Sequence, residues 1–309
     1  MEPIRVGLLD FGLRHSKLNS LRVIEDLIDY AGHADQLGFS RFWIAEHHIP
    51  QTRSAWSNPQ ALVPLLAGMT QRIKVGVAGV LLSLHAPYHV ATSFKLLANL
   101  FPGRIDLGVA NGVVSETVAQ YSIQQSNQAL RGLFDDKLAE LVHYLHDEDE
   151  LYQDGKGVVI PPYKGVIPAV WTLGVSYGSL NRALTLKTNF ARSIFHYGSD
   201  VSYEKEKLQA FREEYYQRHK VQPQITLAVA GCCHQTSQKA KRIINALNKK
   251  TSVGRGELFG SPAKFHDEVM ALRERYGIDE VIFMSAAMQP TDRIVGLELI
   301  SDIFKLNAN

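Results

Sequence analysis

The stretch "GFSRFWIAEHHIP", Gly38 to Pro50, places a carboxylate and two adjacent imidazoles at the end of an apolar run. Glu46, His47 and His48 could ligate a metal, move a proton, or pair with one another as a polar strand end. A zinc site needs three or four ligand atoms converging at about 2 Å. Neighbouring side chains of an extended strand point to opposite faces, so His47 and His48 do not readily share an ion. No H-x-H or H-E-x-x-H pattern accompanies them, and no metal site is expected. Proton transfer suits them better: one histidine would face an open site with a near-neutral pKa, and the other would pack behind it. A histidine simply hydrogen-bonded to Glu46 is the structural alternative, and the residue types alone leave both open.

A second stretch, "GVSYGSLNRAL" (Gly174–Leu184), leaves an apolar run through Ser176, Gly178 and Ser179 and enters a helical pattern. Small residues let backbone N–H groups approach an anion, serine hydroxyls add donors, and a helix start favours negative charge. The bland reading is a helix cap.

These groups need a scaffold that gathers them. Short apolar runs recur at Ile4–Asp10, Arg41–Glu46, Ile73–Ser83, Ile105–Ala110, Ala169–Ser176, Phe190–His196, Gln224–Cys233 and Glu280–Ala286. Helix-sized segments separate most of them, as parallel strands require. In the first such segment Leu21, Ile24, Leu27, Ile28, Ala31 and Ala34 keep helical spacing, with Asn19 or Ser20 as cap and Gly38 as stop. Eight β-then-α units predict an α/β fold, a (β/α)₈ TIM barrel forming a single domain over residues 1–309, with a doubly wound open sheet as runner-up. Insertions are expected after strand 4, where a helix over Gln128–His146 precedes the extended "LYQDGKGVVIPPYKG" around a Gly155 turn, and after strand 7. There, "NKKTSVGRGELFGSP" (Asn248–Pro262) reads as a mobile lid.

Active sites of such barrels lie at the C-terminal strand ends. Position alone therefore selects Asp10, Phe11, Glu46–His48, Ser83–His85, Ala110–Gly112, Gly174–Ser179, His196, Tyr197, Cys232–His234 and Ser285. A formal charge of +2 gives no reason to expect nucleic acid, and "DEDE" and "KAKR" read as solvated faces. No apolar stretch reaches the ~18 residues of a membrane span, and the N-terminus lacks a signal-peptide pattern, so a cytoplasmic protein is expected. Cys232 and Cys233 are adjacent, cannot staple a fold, and read as small buried residues.

Four stretches, "LGFSRFWIAEHH", "IKVGVAGVLLSLHAPYHVATSFKLLANLFPGRIDLGVANG", "VWTLGVSYGSLNRAL" and "GSPAKFHDEVMALRERYGIDEVIFM", span nearly the whole chain. In that order they resemble the bacterial luciferase-like family of flavin-dependent oxidoreductases. The resemblance implies a (β/α)₈ barrel that binds reduced FMN as cosubstrate. In the family's monooxygenases oxygen adds to the flavin and a carbonyl, sulfur or carbon substrate is attacked. The flavin supplies the difficult chemistry, while the protein positions it, excludes water and moves protons. By resemblance His47 is the acid/base residue, with Glu46 or His48 orienting it. Ala78 and Gly79 match the backbone that lies against the isoalloxazine ring, often through a non-proline cis peptide. Gly174, Ser176 and Ser179, with the amides of Tyr177 and Gly178, match the FMN phosphate loop. Trp43, Tyr88, Trp171 and Tyr177 could line the site, although core packing suits at least two of them.

The chain departs from the family where relatives carry phosphate-holding arginines. Asn111 stands after the fourth strand, and Gln128 at the second position, with Arg131 nearby. Losing two charge-assisted contacts weakens FMN retention unless Arg131 or Arg192 substitutes. The leading expectation is an FMN-dependent monooxygenase on a small organic substrate. No G-x-G-x-x-G follows a strand, so reduced flavin would come from a separate flavin reductase. A deazaflavin-dependent hydride-transfer enzyme is one alternative. A non-catalytic flavin-binding protein or partner subunit, favoured by Asn111 and Gln128, is another. Family membership also implies a homodimer, and the loops Val113–Gln128 and Asn248–Pro262 would select the substrate.

Overall fold

The computed structural model describes residues 3–14, 19–48, 54–112, 114–123, 133–153, 158–196, 205–248 and 258–308. Its parallel strands are β1 (Arg5–Asp10), β2 (Arg41–Ile44), β3 (Lys74–Leu81), β4 (Ile105–Ala110), β5 (Ala169–Gly174), β6 (Asn189–Ser193), β7 (Ile225–Cys233), β8 (Leu258–Gly260) and β9 (Glu280–Ser285). Eight of them close a ring in the order β1-β2-β3-β4-β5-β6-β7-β9, with β6 joined to β7 and β9 to β1. This is the (β/α)₈ barrel, and the open-sheet alternative fails because that sheet has no free edges among the eight. The eighth expected strand is β9. The short β8 was unforeseen: it pairs with Gly231–Cys233 at the end of β7, so Leu258–Gly260, expected in a lid, is sheet. Residues 249–257 of that expected lid lie outside the described residues.

Helices wrap the ring: α1 (Ser20–Gln36), α2 (Val63–Met69), α3 (Pro87–Leu100), α4 (Glu116–Ile123), α5 (Phe134–His146), α6 (Glu148–Gln153), α7 (Leu180–Thr185), α8 (Lys205–His219), α9 (Ser237–Asn248), α10 (Pro262–Tyr276) and α11 (Pro290–Phe304). No described helix is long and apolar enough to cross a membrane. Asn19 caps α1, its side-chain oxygen accepting from the Arg22 amide at 2.7 Å. Leu27, Tyr30, Ala31 and Ala34 form the buried face. Gly38 follows with φ +82°, and a Cβ there would meet the Leu306 carbonyl oxygen at 2.4 Å. Backbone angle and space both demand glycine.

After β4 the expected helix over Gln128–His146 is described as Phe134–His146. Gln128, Arg131 and Gly155 lie outside the described residues. The start of the supposed extended insertion, Leu151–Gln153, is instead the end of α6. Lys95 of α3, fully buried, reaches Glu148 at 2.5 Å and the Ile160 carbonyl at 2.6 Å, tying this connection to the barrel wall.

Strand residues alternate between two cores. Val6, Leu8, Phe42, Ile44, Val75 and Val77 pack outward against the helices. Leu9, Trp43, Trp171, Ala191, Ala228 and Ile282 fill the barrel interior. Beneath them lies a buried ionic layer. The Arg41 guanidinium donates to Asp106 at 2.7 Å, to Glu280 at 2.9 Å and to Gln224 at 3.1 Å. The indoles of Trp43 and Trp171 donate to the same Asp106 carboxylate, at 2.8 and 3.2 Å. Arg41 fits because Gly7 has no side chain: a Cβ there would stand 2.5 Å from Arg41 Cγ. Removing one member of a buried ion pair strands the other charge. Asp106→Ala, which orphans two indoles as well, should cost about 3–5 kcal/mol, read as a lower urea midpoint.

Candidate active site

A cavity of about 820 Å³ opens at the C-terminal strand ends. Its walls come from every strand from β1 to β7, among them Leu9, Phe11, Trp43, Ala45, Ala78, Gly79, Leu173 and Ala228. Polar groups gather at two places: Glu46, His47, His48 and His196 on one side, and Ser176, Ser179, Arg182 and Arg192 on another. A shallower depression of about 590 Å³ shares His47, His48 and Ser115, and adds Trp56 and Ser57.

Beyond β2 the chain stays extended, so alternation continues past its last paired residue. Trp43 and Ala45 face the interior, and His47 follows them onto the Phe11 ring, with centroids 4.5 Å apart. Its Nε2 is buried and has no hydrogen-bond partner. Burial is the largest cause of a pKa lowered to about 4, and repulsion from His196 adds to it. At neutral pH this imidazole is uncharged, with a nitrogen free to exchange a proton.

Glu46 turns the other way. One carboxylate oxygen accepts from His48 Nε2 at 2.9 Å and from His85 Nε2 at 2.8 Å, and the other accepts the Leu81 amide at 2.9 Å. Burial alone would raise its pKa. The hydrogen bonds from His48 and His85, the charge of His85 and the Leu81 amide win, and hold it at about 2. Both readings of "EHH" are therefore realised, one on each face: His48 is the partner of Glu46, and His47 looks into the cavity. The expectation that Glu46 or His48 orients His47 by a hydrogen bond is corrected, because that carboxylate is spent on His48, His85 and Leu81; packing on Phe11 holds His47 instead. The alternation that separates the two imidazoles also denies them a common ion.

His85 and the Leu81 amide were missed as partners of Glu46. His85 stood at a strand end, but a contact across 39 positions has no local signal in the sequence. The Ser193–His196 pair, Oγ to Nδ1 at 2.6 Å, was missed similarly. His196 stacks on Phe195 at 4.4 Å, and burial lowers its pKa too.

The backbone at the ring-facing position is as expected: the Ala78–Gly79 peptide is cis, and both residues line the cavity. Of the aromatics, Trp43 lines it; Trp171 is buried beneath, edge-on to Trp43 at 5.1 Å. Tyr88 packs on Tyr144 outside the barrel, and Tyr177 lies over Arg192. Gly174, Ser176 and Ser179 border the cavity, whereas Tyr177 and Gly178 do not. The Ser176 hydroxyl accepts from the Gly178 amide at 3.3 Å. The helix expected to aim its dipole here, α7, is only six residues long, so the hydroxyls and not a macrodipole are what this loop offers. Asn111 lies exposed at the rim. Arg182 is engaged by Asp135 and lies over Phe134. Cys232 and Cys233 are buried, their thiols pushed up to about 12 by that burial, and take no part.

A sequence model of the luciferase-like monooxygenase family matches residues 4–295. The chain belongs to that family. A luciferase-like monooxygenase of Escherichia coli is 26% identical over 288 residues, covering 92% of this chain and 84% of that protein. The solved structure of apo-MsnO8 superposes with a TM-score of 0.81 at 26% identity, covering 98% of both chains. At 19% identity, a likeness of fold alone, the oxygenating constituent of 3,6-diketocamphane monooxygenase of Pseudomonas putida, solved with FMN, gives a TM-score of 0.73 over 97% of both chains. The family is one of oxidoreductases, and its barrel is the one built here.

Glu46 links pH to stability. Its folded pKa lies below the unfolded value of 4.5, so its contribution is complete above that value and is lost as pH falls towards 2. A shift of this size corresponds to about 3 kcal/mol. Glu46→Gln should therefore be less stable than the parent at pH 6, with the gap narrowing between pH 4.5 and 2.5 in urea titrations.

Proposed function

We propose that this protein is an FMN-dependent monooxygenase in which His47 is the proton-transfer residue. The observation that carries the reading is the uncharged His47 imidazole, its Nε2 buried and unpartnered in an apolar-walled cavity at the barrel mouth. A buried polar atom without a partner is costly, and it is kept where a reacting group completes it.

The residues present fit a flavin. The Ala78–Gly79 backbone and the side chains of Trp43 and Leu173 offer the flat, largely apolar wall that an isoalloxazine ring needs. Ser176 and Ser179, past the end of β5, offer hydroxyls to its phosphate. Reduced FMN, when bound, supplies the electrons that activate oxygen. The chain's own residues do the rest. Phe11 fixes the His47 ring, and Glu46 clamps the ends of β2 and β3 together through Leu81 and His85. The apolar lining excludes water from the reacting centre. With its pKa near 4, His47 is a proton acceptor at neutral pH, and it returns that proton within the same enclosed space.

The chain carries no dinucleotide fingerprint, so the reading includes a separate flavin reductase that delivers the reduced cofactor. The depression shared by His47, His48 and Ser115 is the side from which a small organic substrate approaches.

Anaerobic titration with reduced FMN, followed by mixing with oxygen, tests the reading. The protein should bind the reduced flavin and alter the course of its reoxidation relative to free FMN. Binding of neither oxidised nor reduced FMN would sink the flavin assignment. In oxygen-uptake assays with a reductase, His47→Ala should lower turnover by about 10²-fold or more while still binding FMN; unchanged turnover removes His47 from the mechanism.

A further inference from the structure

Arg192 is 2% exposed, and none of its three guanidinium nitrogens has a hydrogen-bond partner. No carboxylate lies within ion-pair distance of it among the described residues. A buried cation with neither counter-ion nor acceptor is among the least favourable arrangements a protein can hold. The groups around it are aromatic: Tyr177 lies over the guanidinium carbon at 4.1 Å, and Tyr276 at 5.9 Å. Rings against a guanidinium face favour the charge but accept no N–H bond. The donors in the guanidinium plane remain unspent.

The position is informative. Arg192 of β6 pairs in register with Gly174, the last residue of β5. Gly174 opens the loop that carries Ser176 and Ser179, and all four residues border the same cavity. Arg182, the other arginine on this side, is already paired with Asp135. Asn111 brings no charge.

We propose that Arg192 is the cation that receives the phosphate of the bound flavin, delivered from the sixth strand with Ser176 and Ser179 as its neutral partners. A planar guanidinium offers paired N–H groups to phosphate oxygens, a geometry lysine lacks. The dianion takes the place of the missing counter-ion, so the orphaned cation and the absent rim arginines have one explanation. The proposal rests on the flavin reading of the cavity, and the test separates the two.

Affinities for oxidised FMN and for riboflavin, which lacks the phosphate, are measured by flavin-fluorescence quenching for the parent, Arg192→Met and Arg192→Lys. Melting temperatures are recorded with and without inorganic phosphate. The parent should prefer FMN over riboflavin by about tenfold to a hundredfold. Arg192→Met should bring that ratio near one with riboflavin affinity unchanged, and Arg192→Lys should restore part of it. A folded Arg192→Met that keeps the preference overturns the proposal and leaves the cation as a structural partner of Tyr177. So does a parent that binds both flavins equally. If the parent binds neither flavin, the flavin reading fails and the phosphate arm decides: stabilisation of the parent but not of Arg192→Met upholds an anion site at Arg192, and no difference refutes it.

Discussion

Inside the barrel the Arg41 guanidinium is enclosed by Asp106, Glu280 and Gln224, and the same Asp106 carboxylate takes the indole N–H groups of Trp43 and Trp171. Charges buried this deeply tolerate no slip in register, because a one-residue shift of β2 would send Arg41 into the apolar layer beneath the helices. Everything above Arg41 on that strand inherits its parity. Trp43 becomes the cavity floor, Ala45 leaves room above it, and His47 arrives on the inner face at the mouth. Residues of the other parity, Phe42 and Ile44, pack outward, and Glu46 and His48 meet where β2 and β3 end.

That parity separates two electrostatic tasks that the sequence places side by side. Glu46 is held ionised by three donors, whereas His47 is held neutral by burial and by His196. An anion bonded directly to His47 would have raised its pKa and tied up a nitrogen. The clamp on the outer face spares it both. The cavity consequently has a neutral proton-exchanging group on one side and a cationic, hydroxyl-bearing pocket on the other, with apolar walls between. A planar apolar ligand with an anionic tail matches that distribution of polarity.

Much of this was legible in the residues. Eight apolar runs separated by helical segments imply the closed barrel, and alternation along an extended chain implies that His47 and His48 diverge. Which of the two faces inward came only from family resemblance, because parity needs a reference residue and Arg41 becomes one only when Asp106 and Glu280 surround it. The short β8 was hidden because three residues next to a Gly- and Lys-rich run have no periodicity to read. His85 on Glu46, Ser193 on His196 and the unpartnered state of Arg192 are tertiary facts. Composition allows an arginine at position 192, but only the packed structure shows that nothing within it satisfies that charge. The phosphate loop was legible as a serine-glycine turn, yet the helix behind it proved too short to supply the expected dipole.

The central claim is that strand parity delivers His47 to the desolvated cavity as an uncharged group. Its most direct test is an NMR pH titration of the labelled His47 imidazole in the folded protein, assigned by comparison with His47→Ala. A midpoint near 4, with the ring neutral at pH 7, is the predicted result. A midpoint at the ordinary histidine value of about 6.5 or above would place the ring in water or beside an anion, and would contradict the account.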